Sequence, residues 1–420
     1  MTTDLQTPTF GGNAPRRATS WGLILVCLAV TVVEGYNLIV YGSIVPLLLA
    51  DPGMAMDNES AGLAGSAVYV GMLIGATVAG VMGDRHGRQR VLIVAMIIFL
   101  VGAIAAGLSV DAVTLGAARL FSGLGVGGAV VTALALARTH GREHQAGVIV
   151  TLTMAGIPIG GTIAALTAIP ILPALGWRAM FFLGALLTAA ILVLVLVTRL
   201  EPSDVAQTPS TAAAKPGIAA LFHDRRAAIA IIVGLAAIPN MFTWYGLNTW
   251  LVAVMGELDY SLTSALLFSF TLTGGAIVGS FLTMRWADVW GIAKVGTVMA
   301  SLTVIGLIGI SVGPKTLAFS LICVVLMGAG GHSTMNLINA ATTNLFPPQL
   351  RATALGWSNG TSYVGAIIGP TAGGLVLASS LGPVGVFVLY GASAALAAAA
   401  MLALAVVSAQ RAGGARDSVR

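Results

Sequence analysis

Four apolar stretches of this 420-residue chain carry polar side chains, three of them at helical spacing. Glu34, Asn37 and Tyr41 recur at i, i+3 and i+7, one face of a helix. Arg119 stands alone in a later run. Asn240, Trp244 and Asn248 lie four apart, with Tyr245 and Trp250 close by and Pro239 able to loosen the helix. His332, Asn336 and Asn339 share another face. A carboxyl can carry a proton, while a guanidinium, an amide or a phenol can hydrogen-bond a polar solute. Tyr36, Trp250 and Trp357 add rings that can stack. Plainer roles exist for most of these groups. A buried Asn can bond a neighbouring helix, His332 can pack, and Arg119 can hold backbone carbonyls. Glu34 has the least room for one, because a lone acid at a bilayer centre costs about 2.5–3.5 kcal/mol on insertion scales. It is the candidate proton carrier, with Arg119 its candidate counter-charge.

The surrounding composition explains why such groups stand out. The chain is 57% hydrophobic and only 8% charged, with a mean hydropathy of +0.96. A soluble protein carries about a quarter charged residues. These values describe a polytopic membrane protein, so the net charge of +5 bears on orientation and not on nucleic acid. Cys27 and Cys323 each sit in an apolar run and read as reduced packing residues.

Apolar runs long enough to cross a bilayer as helix fall at 21–48, 61–82, 91–109, 113–137, 147–171 and 179–198. Six more follow at 227–254, 263–284, 293–312, 316–341, 353–378 and 383–407. The predicted fold is an all-α membrane protein with 12 transmembrane helices in two pseudo-symmetric six-helix bundles. The expected organisation is a tail over 1–20, a bundle over 21–198, a polar linker over 199–226, a second bundle over 227–407 and a tail over 408–420. Arg16-Arg17 before the first run is no export signal, because that run is longer than a signal core of about 7–15 residues. With both termini cytoplasmic, 17 of the 20 lysines and arginines fall inside, as the positive-inside rule requires.

Two short turns repeat. Asp84-Arg85-His86-Gly87-Arg88-Gln89-Arg90 places glycine three residues and a base six residues after an acid. Asp288-Val-Trp-Gly291-Ile-Ala-Lys294 does the same 204 residues later. Asp84, Arg85, Arg88 and Asp288 are therefore candidate gating residues at equivalent places in two repeats. Arg142 and Gly147 open span five as Arg351 and Gly356 open span eleven. Gly156-Ile-Pro158-Ile-Gly160-Gly161 has an echo in Gly369-Pro370-Thr-Ala-Gly373-Gly374. Gly123-Leu-Gly125-Val-Gly127-Gly128 matches a dinucleotide fingerprint but lies within an apolar helix with no strand before it, so it serves helix packing. Nucleotide-binding, metal-ligating and nucleophile–base patterns find no match, and neither cofactor nor metal is expected.

These turns resemble the loop signature of the major facilitator superfamily, and Arg119 with Gly123 and Gly125 resembles its fourth-helix motif. Within it, Glu34-Gly-Tyr-Asn-Leu-Ile-Val-Tyr-Gly42, Tyr245-Gly-Leu-Asn-Thr-Trp250, Leu337-Ile-Asn339, Arg351-Ala-Thr-Ala-Leu-Gly-Trp357 and Gly365-Ala-Ile-Ile-Gly-Pro370 resemble the aromatic acid:proton symporters. The resemblance implies proton-coupled uptake of a small benzoate-like carboxylate by a monomer in a bacterial inner membrane. It also implies a substrate site drawn from Tyr36, Asn37, Tyr41, Arg119, Tyr245, Asn248, Trp250, His332, Asn336, Trp357 and Tyr363. Two positions depart from that family. Glu34 and Asn37 stand where two aspartates are usual, and Tyr363 stands where an arginine is usual. One acid and one base are replaced together, which keeps the charge within the membrane balanced. An efflux antiporter on the same fold is the rival reading, ahead of a non-transporting sensor or enzyme.

Orientation is directly testable. Cysteines placed at Asn58 and Ser261 should react with an impermeant thiol reagent from the periplasm, and one at Gln207 should not. Labelling of Gln207 alone would reverse the topology.

Overall fold

The computed structural model describes residues 19–140, 145–200, 217–223 and 225–417. The expected landmarks Arg16, Arg17, Arg142, Gln207, Lys215 and Arg420 lie outside the described residues, as does most of the 199–226 linker. Every regular element described is helical. In order they are α1 (Trp21–Ala50), α2 (Asn58–His86), α3 (Arg88–Gly107), α4 (Ala112–Thr139), α5 (Ala146–Met154) and α6 (Gly156–Val197). A 3-10 turn over Ile218–Phe222 leads to α7 (Arg225–Glu257), α8 (Leu262–Trp290), α9 (Ile292–Val312) and α10 (Leu317–Leu345). A second such turn, Pro348–Leu350, precedes α11 (Arg351–Ala378) and α12 (Gly382–Asp417).

Eleven stretches among the described residues are long and apolar enough to span a membrane. One of them, Val148–Val197, is 50 residues long. At 1.5 Å per residue it would reach ~75 Å, against a hydrocarbon core of about 30 Å. It cannot cross once. Gly176 turns the chain with φ 74° and ψ −179°, after Pro170 and Pro173, and splits this stretch into two passes. Twelve crossings result. Asp51, in the loop after α1, accepts from Trp177 Nε1 at 3.0 Å and from Arg178 at 3.4 Å. Trp177, the Gly53 N–H and Arg178 together hold its carboxyl below the usual carboxylate range.

Within the first bundle α2 packs on α4 and α1 on α6; within the second, α7 packs on α11 and α9 on α10. Small residues set these distances, as expected where lipid gives no hydrophobic reason for helices to associate. Gly71 and Gly75 lie directly on the backbone of α4 at Leu120 and Leu124. Gly275 and Gly279, again 204 residues on, lie on the backbone of α10 at Val325 and Ala329. The duplicated turns also match: Gly87 has φ 92°, ψ 137° and Gly291 has φ 90°, ψ 140°. A side chain strongly resists that region, so glycine is the residue both turns require.

The glycine–proline echo registers differently from its sequence spacing. Gly160 closes on Val32 O and Tyr36 N of α1, and Gly365 closes on Ile238 O and Phe242 N of α7. Gly365 is thus the counterpart of Gly160, and the Pro370 cluster lies farther along its helix, where Gly369 and Gly373 pack within their own bundle on Phe242, Tyr390 and Trp250 while Pro370 and Gly374 reach the opposite bundle. There Gly62 of α2 meets Pro370, and Gly374 meets Asn58.

The bundles touch through α2/α11, α6/α8 and α1/α7. Ser66 and Thr371 hydroxyls are 2.7 Å apart, Thr371 N–H donates to Ser66 Oγ at 3.2 Å, and Thr162 donates to Thr273 at 3.1 Å. Gly42 sits on Asn248 O. Asp84, Arg85 and Asp288 are exposed at the far end, beside the Gly87 and Gly291 turns. The described state is closed at the Gly62–Thr371 end. A net contribution of about 0.5–1.5 kcal/mol per hydrogen bond can tip a nearly balanced pair of states. Ser66→Ala with Thr371→Val should therefore lengthen the distance distribution between spin labels at Asn58 and Ser379. An unchanged distribution would remove these hydroxyls from the gate.

Candidate functional site

The side chains left over from packing gather below the closed seam. Arg119 of α4 is only 3% exposed. Its Nε donates to Ala64 O of α2 at 2.9 Å, and its guanidinium carbon lies 3.9 Å from the Tyr41 ring centroid. Tyr41 is itself pinned by a 2.7 Å bond from its hydroxyl to Ala61 O. Stacking on a phenol favours a cation, but no acid pairs with Arg119 among the described residues. Most of its donor fork therefore has no described acceptor.

Glu34 is fully buried, and neither carboxyl oxygen has a hydrogen-bond partner. Three tyrosines are neighbours of one or the other of these charges. Tyr69 of α2 and Tyr245 of α7 have ring centroids 4.4 Å apart at 46°. Tyr69 interacts electrostatically with both Arg119 and Tyr245, and Tyr363 of α11 does so with Tyr245 and Glu34. All three rings pack on one apolar cluster with Val33, Leu38 and Met72. The sequence singled out Glu34, Arg119, Tyr41, Tyr245 and Tyr363, and the structure brings them together. It adds Tyr69, which has no charged or amide residue at helical spacing to draw attention to it.

Other candidates are used differently. Tyr36 is buried with its hydroxyl donating to Met180 O of α6 at 3.1 Å. Asn37 donates to Val33 O of its own helix at 3.0 Å and faces Gly184 of α6. Asn37 thus turns towards α6, whereas Tyr363 sits near Glu34. Trp250 donates to Pro370 O at 2.7 Å. Trp357 donates to Ala230 O at 2.8 Å and meets Phe222 of the linker turn edge-on at 5.1 Å. Asn240 bonds Gly331 O across α7/α10 at 3.0 Å. Asn248 donates to Trp244 O at 2.8 Å and keeps a buried Oδ1 without a partner. His332 lies 5.4 Å from the Trp244 ring and bonds Ser280 at 3.2 Å, while Asn336, one turn on, is partly exposed. Asn339 instead bonds Ser358 and Asn359 of α11. Asp84 pairs with Arg88 of its own turn at 3.7 Å, both side chains well exposed, a contact worth about 0–1 kcal/mol.

The family model described as Major Facilitator Superfamily matches residues 24–312 and, overlapping, 233–418. The chain belongs to this superfamily. The gentisate transporter of Corynebacterium glutamicum is 33% identical over 389 residues, 91% of this chain and 86% of that one. The benzoate transport protein of Acinetobacter baylyi is 27% identical over 401 residues, covering 86% and 84%. Among solved structures, a D-xylose-proton symporter superposes with a TM-score of 0.77 at 18% identity, covering 91% of this chain and 97% of that one. An inward-open conformation of the xylose transporter from E. coli gives 0.74 at 16% identity, covering 91% and 95%. At these identities the structures show the fold, and the relatives are transporters of aromatic acids. The protein is a membrane transporter and not an enzyme.

The indole bonds carry a consequence for the tryptophans. Trp250→Phe and Trp357→Phe should each lower thermal stability, by about 0.5–1.5 kcal/mol for a lost hydrogen bond, with the half-saturation concentration of transport unchanged. A selective rise in that concentration would return either indole to the substrate site.

Proposed function

We propose that the protein takes up a small aromatic carboxylate together with a proton across a bacterial inner membrane, both termini being cytoplasmic. The bundles over 21–198 and 227–407 rock about the site and expose it to each side in turn. The observation that supports this reading is a buried guanidinium without an acid partner among the described residues and a buried carboxyl without any partner, with phenol rings beside the guanidinium. The substrate carboxylate takes the free edge of Arg119, and Glu34 takes the proton. His332, Asn336 and Asn248 are placed to bond the polar groups of the solute.

Charge balance then couples the two loads. Empty, the site holds one positive and one negative group. With the anion alone it carries a net −1, and with the proton alone a net +1. With both it is neutral again. A net charge enclosed away from water is expensive, so only the empty and doubly loaded forms pass through the occluded state cheaply. One proton accompanies each monovalent anion, and the cycle moves no net charge.

Reconstitution into liposomes tests this directly. Counterflow of labelled benzoate should occur, and its accumulation should follow a pH gradient rather than a membrane potential. Glu34→Gln, which keeps shape but cannot cycle a proton, should retain counterflow and lose gradient-driven accumulation. Exchange of only neutral or aliphatic compounds would reject the substrate class. Full accumulation by the variant would place the proton elsewhere.

A further inference from the structure

The inter-bundle face of α2 is a stripe of Gly62, Ser66 and Tyr69, at i, i+4 and i+7. Gly62 and Ser66 close on Pro370 and Thr371. Tyr69 continues the same seam one layer deeper, and there its neighbour across the bundles is Tyr245 at 4.4 Å. This ring pair is the innermost layer of the closed seam. It also lies beside the unpaired cation. Arg119 is tethered to α2 at Ala64, five residues before Tyr69, a rise of ~7.5 Å along the helix. Arg119 and the ring pair are thus anchored on the same stretch of α2, so that one benzoate-sized solute can span from the guanidinium to the phenols.

We infer that Tyr69, with Tyr245, is the specificity-determining ring platform of the transporter, selecting aromatic over non-aromatic carboxylates. The inference rests on the aromatic-carboxylate reading above. Two rings already in contact at 4.4 Å leave no slot for a third between them, so the substrate ring lies against the outside of the pair. Tilted and edge-to-face arrangements are the favoured ones for such a contact. Because Tyr69 belongs to the first bundle and Tyr245 to the second, one flat solute touches both bundles at once. Arg119 supplies affinity for any carboxylate, and the ring pair discriminates what carries it.

The test compares benzoate with cyclohexanecarboxylate, which keeps the carboxylate and approximate size but has no π-system. Both compete against labelled benzoate in counterflow by reconstituted full-length protein, matched for amount and size-exclusion profile. Wild type should prefer benzoate. Tyr69→Leu should weaken benzoate ~tenfold, the upper range for an aromatic pair, and leave cyclohexanecarboxylate unchanged, while Tyr69→Phe should keep the preference. Should Tyr69→Leu fail to reach the membrane, Tyr245→Leu makes the same test from the other bundle. A wild-type preference retained by the leucine variants, or equal competition by both acids in wild type, overturns the ring platform alone. Wild type that exchanges no aromatic acid overturns the transport reading itself.

Discussion

A bilayer offers no water to a polar group, so each one must find a partner inside the protein or face a cavity. That constraint accounts for most of the hydrogen bonds described here. The Trp250 and Trp357 indoles and the Tyr36 and Tyr41 hydroxyls each spend their donor on a backbone carbonyl of a neighbouring helix. Asn240 does the same. Once those donors are assigned, the Glu34 carboxyl and Asn248 Oδ1 remain without a partner among the described residues, along with the Ser43, Thr303 and Ser333 hydroxyls, and only Nε of the Arg119 fork has a described acceptor. The site is drawn from what packing did not satisfy.

Contacts between bundles add hydroxyl pairs to the glycine contacts that also hold each bundle together. Inside, glycines let backbone lie on backbone, as at Gly71, Gly75, Gly275 and Gly279. Between bundles, hydroxyl pairs at Ser66–Thr371 and Thr162–Thr273 form hydrogen bonds alongside the small-residue contacts. Hydroxyls can exchange a partner for water as a seam opens, whereas a packed backbone cannot.

Much of this was legible in the sequence because lipid forces hydropathy and charge into plain patterns. The twelve spans and the repeat at 204 residues follow from apolar runs and charged turns, and Glu34 and Arg119 stand out as isolated charges within those runs. Ring-bearing residues were less legible. A phenol or an indole in an apolar run suits packing and binding equally, and only its hydrogen-bond partner decides. Tyr36, Trp250 and Trp357 were read as stacking surfaces, but their donors are committed to backbone carbonyls. Tyr69 was passed over because its neighbours at i±3 and i±4, Gly65, Ser66, Met72 and Leu73, include no charge or amide. The register of the Gly–Pro clusters was hidden too, since similar strings can face different neighbours one turn apart.

The backbone-on-backbone rails have a mechanical meaning. A bundle whose helices are seated with almost no side-chain cushion between them resists bending and behaves as a lever. In the proposed rocking, the fulcrum is the seam where α1 meets α7 and α6 meets α8. A sub-ångström misfit at a rail near that fulcrum would be magnified at both ends of the bundle. Added bulk there would act as leverage on distant gates rather than as a local defect.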